Sequence, residues 1–163
     1  MKDKLVYTGV ATLIRRVDGK TTYNKCYNNG TNELFELYAR ALVGHNISSL
    51  LPYSLDLMVK GTSKLRNTIY VNPLYVPVPK LKDESINPYN VPFARMEALI
   101  TRDMIDNIPQ NTDEAELCLK SKQNNKLASI TVNKEFLTNL TTTAPGVQLI
   151  LVWDLYVDNI KTS

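Results

Sequence analysis

Residues Leu5 to Val17 alternate without a break. Val6, Thr8, Val10, Thr12 and Ile14 fall on one side of an extended chain, and Leu5, Tyr7, Gly9, Ala11 and Leu13 on the other. Period-two spacing rich in β-branched residues predicts a strand, and its apolar content on both sides predicts cover on both faces. Asp18-Gly19 supplies a tight turn, because glycine accepts the positive φ that such turns need. Thr21 to Tyr27 then returns as the partner strand. After a break at Asn28-Asn29-Gly30 the period changes, and Leu34, Leu37, Tyr38, Ala41 and Leu42 recur at helical spacing. This predicts an amphipathic helix over 32–43 lying on a sheet. Thr31 or Asn32 caps its start, Glu33 and Glu36 suit its positive end, Arg40 its negative end, and Gly44 is a left-handed stop.

Further strands follow at Tyr53 to Val59, with Tyr53, Leu55, Leu57 and Val59 on one side, and at Ile69 to Asn72. Phe93 to Ile105 reads as a half-buried antiparallel strand, with Ala94, Met96, Ala98 and Ile100 on its apolar face. Glu116 to Lys122 and Lys126 to Val132 form a hairpin about Asn124-Asn125. Asn133 caps a short helical turn reaching Leu140. Val147 to Val157, launched by Ala144-Pro145-Gly146, is the most apolar run and the expected central strand. About eight strands with Gly, Pro and Asn between them, plus one amphipathic α-helix, predict a mainly β fold. The expected architecture is an antiparallel β-sandwich or jelly-roll-like arrangement, with residues 1–163 forming one domain.

One window departs from this rhythm. Five of the eight prolines, Pro73, Pro77, Pro79, Pro88 and Pro92, lie within 73–92. Proline removes a donor and blocks central ladders, so the window is a long loop or an extended edge arm. Tyr75, Val76, Val78 and Leu81 make it too apolar for a linker. Two readings stand: an arm that packs on a neighbouring subunit through Pro73, Leu74, Tyr75, Val76, Pro77 and Val78, or an arm folded back over its own sheet.

Composition removes several classes of function. A net charge of +3, with Lys and Arg dispersed, gives no basic stripe for nucleic acid. Two cysteines and one histidine cannot assemble a zinc site, so no metal or cofactor is expected. Cys26 and Cys118 read as small core residues, a disulfide between them being the alternative. His45 follows the helix stop and has no nucleophile motif beside it. No apolar signal core follows Met1-Lys2-Asp3-Lys4, and no run is long enough to span a bilayer, so no membrane contact is expected and an intracellular product is the default. The triplets at Asn29, Asn46 and Asn139 reflect an Asn- and Thr-rich composition.

Asp103, Asp106, Asp113, Glu114 and Glu116 cluster around one loop as a solvated acidic group. A hydrolase reading of that loop requires Asp103, Asp106, Glu114 or Glu116 to converge in a pocket. Nine tyrosines against one tryptophan suit exposed contact surfaces. Tyr53, Tyr70, Tyr75 and Tyr89 surround the proline-rich window, placed to stack on sugars or to pack across a subunit boundary.

Two segments carry a family resemblance. Tyr27-Asn28-Asn29-Gly30-Thr31-Asn32-Glu33-Leu34-Phe35, followed by 37–44, resembles a strand–helix element of small virion proteins of tailed bacteriophages. Pro145-Gly146-Val147-Gln148-Leu149-Ile150-Leu151-Val152-Trp153-Asp154 resembles the last sandwich strand of such proteins. The Lys-, Asn- and Thr-rich composition is similar to that of crAss-like phages. The resemblance covers about a third of the chain and implies a non-enzymatic virion part present in many copies. The expected role is a ring-forming head–tail connector or tail protein. The alternatives are a capsid auxiliary or decoration protein, or a carbohydrate- or receptor-binding β module. The implied partners are copies of the chain itself and other virion proteins (portal, connector, tail or capsid), in a particle made in the host cytoplasm.

Overall fold

The computed structural model describes residues 2–29, 32–66, 68–142 and 144–162. Of the break expected at Asn28-Asn29-Gly30, Asn28 and Asn29 instead continue the preceding strand, and Gly30 and the Thr31 cap lie outside these residues. Ten strands and three helices are described: β1 (Lys2–Val17), β2 (Lys20–Asn29), α1 (Asn32–Leu42), β3 (Pro52–Val59), β4 (Thr62–Ser63), β5 (Ile69–Tyr70), β6 (Asn72–Val76), β7 (Phe93–Ile100), α2 (Arg102–Ile105), β8 (Glu114–Ser121), β9 (Lys126–Asn133), α3 (Lys134–Thr141) and β10 (Gln148–Thr162). The fold is mainly β, as expected. The strands beyond about eight are the two-residue β4, too short to leave an alternation, and β6, which falls at the start of the window expected as a loop or extended edge arm.

Two antiparallel sheets face one another. The first runs β2-β1-β10-β7-β6, and the second runs β4-β3-β8-β9 with β5 also paired to β3. β10 is central in the first sheet, between β1 and β7, and its alternation feeds the core directly. Leu149, Leu151, Trp153 and Leu155 turn inward beside Ala11 and Leu13 of β1 and Met96, Ala98 and Ile100 of β7. Opposite them lie Leu55, Leu57 and Val59 of β3, Leu117 and Leu119 of β8, and Ile130 and Val132 of β9. Phe136, Leu137 and Leu140 of α3 join the same core. Burying each Leu, Ile, Val, Met or Phe side chain among these stabilises by about 1.5–3 kcal/mol.

Local chemistry explains the connections. Asp18 and Gly19 both adopt positive φ at the first hairpin, and Asn124 does so at the second. Asn133 Oδ1 accepts from the Phe136 N–H at 2.9 Å, capping α3, a full helix where a single turn was expected. Gly44 (φ +78°) stops α1, with the Gly44 and His45 N–H groups closing on the carbonyls of Ala41 and Arg40.

Two expectations need correction. The strand expected over Phe93 to Ile105 ends at Ile100, where Thr101-Arg102-Asp103 interrupts the alternation and α2 begins. The apolar face of α1 is covered only in its first half: Leu34 and Leu37 are buried, whereas Tyr38, Ala41 and Leu42 are exposed.

Gly9 holds a tight junction between the sheets. A Cβ there would stand 2.1 Å from Asn28 Oδ1 and 2.8 Å from Trp153 Nε1. Asn28 in turn donates from Nδ2 to the Ser129 carbonyl on β9 at 2.6 Å. Any side chain at position 9 therefore pushes the largest core residue and a sheet-to-sheet tie apart. Gly9→Ala is expected to destabilise by about 1–3 kcal/mol in urea unfolding, the range for overpacking. Gly19→Ala, in open space but with positive φ, tests the separate cost of turn strain.

Candidate functional site

The same alternation that buries Trp153 sends Asp154 to the opposite face of the first sheet, where it is nonetheless buried. A carboxylate there needs charge and hydrogen bonds supplied in place. The β10–β7 register puts Arg95 directly across from it. Arg95 Nε donates to Oδ1 at 2.8 Å and Nη2 to Oδ2 at 3.0 Å, a bidentate fork. The Tyr89 hydroxyl adds a bond to Oδ2 at 2.8 Å. The Tyr89 ring stacks on Tyr156 at 4.3 Å and meets the edge of Phe93 at 5.0 Å, while the Arg95 guanidinium lies 5.2 Å from the Phe93 centroid. Burial and then the Asp154 charge push the Tyr89 phenol far above its ordinary range. The hydrogen bond to Asp154 raises Arg95 further.

Residues 77–92 therefore fold back over their own sheet, and a second buried polar group shapes them. Asn87 Nδ2 donates to the carbonyls of Val91 (2.7 Å) and Pro77 (3.3 Å), and its Oδ1 accepts from the Tyr89 and Asn90 N–H groups, each at 3.0 Å. Asn90 takes a left-handed φ of 60° to complete the turn.

The first part of the window is different. Residues 72–76 form β6, an edge strand paired with β7 alone. Of the residues expected at a subunit contact, Pro73, Leu74, Tyr75, Pro77 and Val78 are exposed and Val76 is half-buried. Tyr75 is 74% exposed, unusual for so large an apolar surface. Beside it runs an open groove of about 620 Å³ lined by Tyr7, Pro73, Tyr75, Ala94, Met96 and Leu155 among others. Strand lengths account for it: β1 and β10 have 16 and 15 residues, β3, β8 and β9 only 8 each, so one end of the first sheet outruns its cover. Tyr7 joins this groove to α1, its ring centroid 4.7 Å from Phe35 and 5.9 Å from Tyr38. Burial and then Tyr38 push the Tyr7 phenol up to about 12. Phe35 and Tyr38 of α1 and Tyr75 of β6 thus flank Tyr7 along one apolar strip, all three substantially exposed, while Leu74, across from Arg95, is exposed on the other face.

The other candidates are dispersed. Tyr53 and Tyr70 form an edge-on pair at 5.2 Å on the second sheet, with Lys122 over Tyr53; Tyr75 and Tyr89 lie on the first sheet. The four tyrosines do not make one platform. Three of the acidic residues are engaged with different partners. Asp103 accepts from the Thr101 hydroxyl, Asp106 pairs with Arg66, and Glu116 pairs with Lys126. The Thr101 bond lowers Asp103 and the Lys126 bond lowers Glu116 from the ordinary carboxylate range. Asp106 and Glu114 line different cavities. His45 is exposed, and both thiols are free. Burial, followed by the hydrogen bond to Glu116, pushes Cys118 up to about 12. Among the described residues no cluster of His, Cys, Asp or Glu is arranged to hold a metal, and no helix is long and apolar enough to cross a membrane.

Comparison with known proteins finds no matching family model, curated protein or solved structure.

Asp154 was findable from sequence as a lone charge in the most apolar strand. Its partners were not, since Tyr89 and Arg95 are 65 and 59 residues away. Arg95→Met, which strands a buried carboxylate, is expected to cost about 3–5 kcal/mol in chemical unfolding. Adding Asp154→Leu to that variant should recover much of the loss. Equal costs for the single and double variants would show that the carboxylate is not the stranded group.

Proposed function

We propose that this chain is a non-enzymatic structural subunit of a phage particle, present as many identical copies in a ring at the head–tail connector or tail. Its work is done by surfaces, chiefly the β6 edge and the apolar strip that runs from it to α1. The observation that carries this reading is the exposure of Leu74 and Tyr75 on an edge strand backed by an apolar groove, with Val78 exposed just beyond the strand. Large apolar patches on one part of a surface mark sites of association. The resemblance of 27–44 and 145–154 to small virion proteins supports the assignment to a particle, and a mainly β sandwich suits it.

A ring places one face of each copy against a different face of its neighbour. Leu74, Tyr75 and Val78 would form one side of that contact, and contacts with portal, connector, tail or capsid proteins would use the remaining surface. A capsid auxiliary role uses the same edge in another setting. The carbohydrate-binding alternative has narrowed to Tyr53 and Tyr70, whose paired rings stay 37% and 60% exposed with Lys122 beside them.

Tyr75→Ala and Leu74→Asp change exposed side chains, so unfolding free energies should shift by no more than about 0.5–1 kcal/mol. Both variants should fail to enter particles, or enter at greatly reduced copy number, when counted by quantitative mass spectrometry. Normal incorporation of both would remove the β6 edge from the contact. Tyr53→Ala should leave incorporation unchanged; glycan-array binding lost on that substitution would favour the carbohydrate reading.

A further inference from the structure

The ends of a sheet invite a further strand, because their outer peptide groups are unpaired. In this fold the chain itself occupies or shortens most of those ends. β2 and β9, the edges on one side of the sandwich, are tied together by Asn28 Nδ2 donating to the Ser129 carbonyl. Asn139 of α3 reaches Asn24 on the same edge at 2.8 Å. β4 and β5, both paired to β3, are two residues long each. That leaves β6, five residues at the far end of the first sheet.

Its backbone chemistry is distinctive. Pro73 lies within the ladder, opposite Met96. A proline in a paired strand turns its nitrogen away from the partner, having no hydrogen to give. Pro73 therefore directs its backbone outward, and by the two-residue pleat so does Tyr75. The next position in that rhythm is Pro77, which lacks a donor and whose carbonyl already accepts from Asn87 Nδ2 at 3.3 Å. Pro79 follows at the same spacing. The outer side of β6 thus offers one N–H, that of Tyr75, where an incoming antiparallel strand needs a bonded pair at each alternate residue.

We infer that Pro73 and Pro77 close β6 to strand addition, so that this edge meets a neighbouring copy through side chains alone. The prolines would keep an exposed apolar edge from pairing with the β6 of a second copy while leaving Leu74, Tyr75 and Val78 available for contact. Only the statement about side-chain contact rests on the proposed assembly role; the refusal of a strand follows from the backbone.

Hydrogen exchange on the full chain, free and in native particles, tests this at single amides. The Tyr75 N–H is expected to exchange at least about 100-fold faster than the Leu74 N–H, which faces β7, in both states. Restoring donors with Pro73→Thr/Pro77→Thr should slow the Tyr75 amide by a similar factor and yield paired copies. Adding Tyr75→Cys to that variant should then give a disulfide-linked dimer through position 75, which the same cysteine should not give when both prolines are present. A protected Tyr75 amide in wild-type particles would overturn the inference. So would a folded double variant whose Tyr75 amide exchanges as fast as wild type and whose copies stay unpaired. Should the double variant not fold, the wild-type exchange pattern decides alone. Loss of the ring itself would sink the assembly role but leave the Tyr75 exchange rate unchanged, so the two failures are distinguishable.

Discussion

β10 is covered on both faces, and the rest of the molecule is arranged around that constraint. Inward, its leucines and Trp153 form one wall of the core. Outward, it carries a carboxylate that is also buried, and a buried charge is tolerated only when matched in place. The matching groups come from two directions: Arg95 from the neighbouring strand and Tyr89 from the proline-rich segment. The register of β7 against β10 and the path of residues 77–92 therefore meet at one interaction. An apolar residue at position 154 would leave both less defined.

That interaction divides the proline-rich window into two parts with different fates. Beyond Pro77 the segment is anchored internally at two points, by Asn87 closing the turn and Tyr89 reaching Asp154. Residues 72–76 stay at the margin of the sheet, exposed except for the half-buried Val76. The shorter second sheet leaves the inner face beside them uncovered, which brings Tyr7 and Tyr75 to the same groove. The exposed surface is thus a consequence of unequal strand lengths together with an anchored loop. An edge that is apolar in its side chains and poor in backbone donors suits contact with a shaped neighbour better than extension by a strand.

Much of this was legible in the sequence where the signal is local. The first hairpin follows from Asp18-Gly19 between alternating runs, the second from Asn124, and the start of α3 from Asn133. The centrality of β10 follows from its being apolar on both faces. What was not legible depends on partners far apart in the chain. Met104 and Ile105 prolong the apolar run past Ile100 and mimic more strand, whereas beyond the interruption at Thr101-Arg102-Asp103 Ile105 packs into the core as part of α2. The helical face of α1 includes Tyr38 and Leu42 by spacing, but nothing in the spacing says where the supporting sheet stops. Nor does composition reveal that Tyr89 is held inside while Tyr75 is left out; that is decided by the register of one arginine and one aspartate.

We propose that this chain works by associating with copies of itself through the β6 edge. Native mass spectrometry of the purified chain across concentration, paired with imaging of the native particle, is the decisive measurement. A closed ring with a single copy number is expected in the particle, with the same or a dissociable form of it in solution. A chain that stays monomeric at every concentration and occupies no symmetric position in a particle would rule out association through this edge.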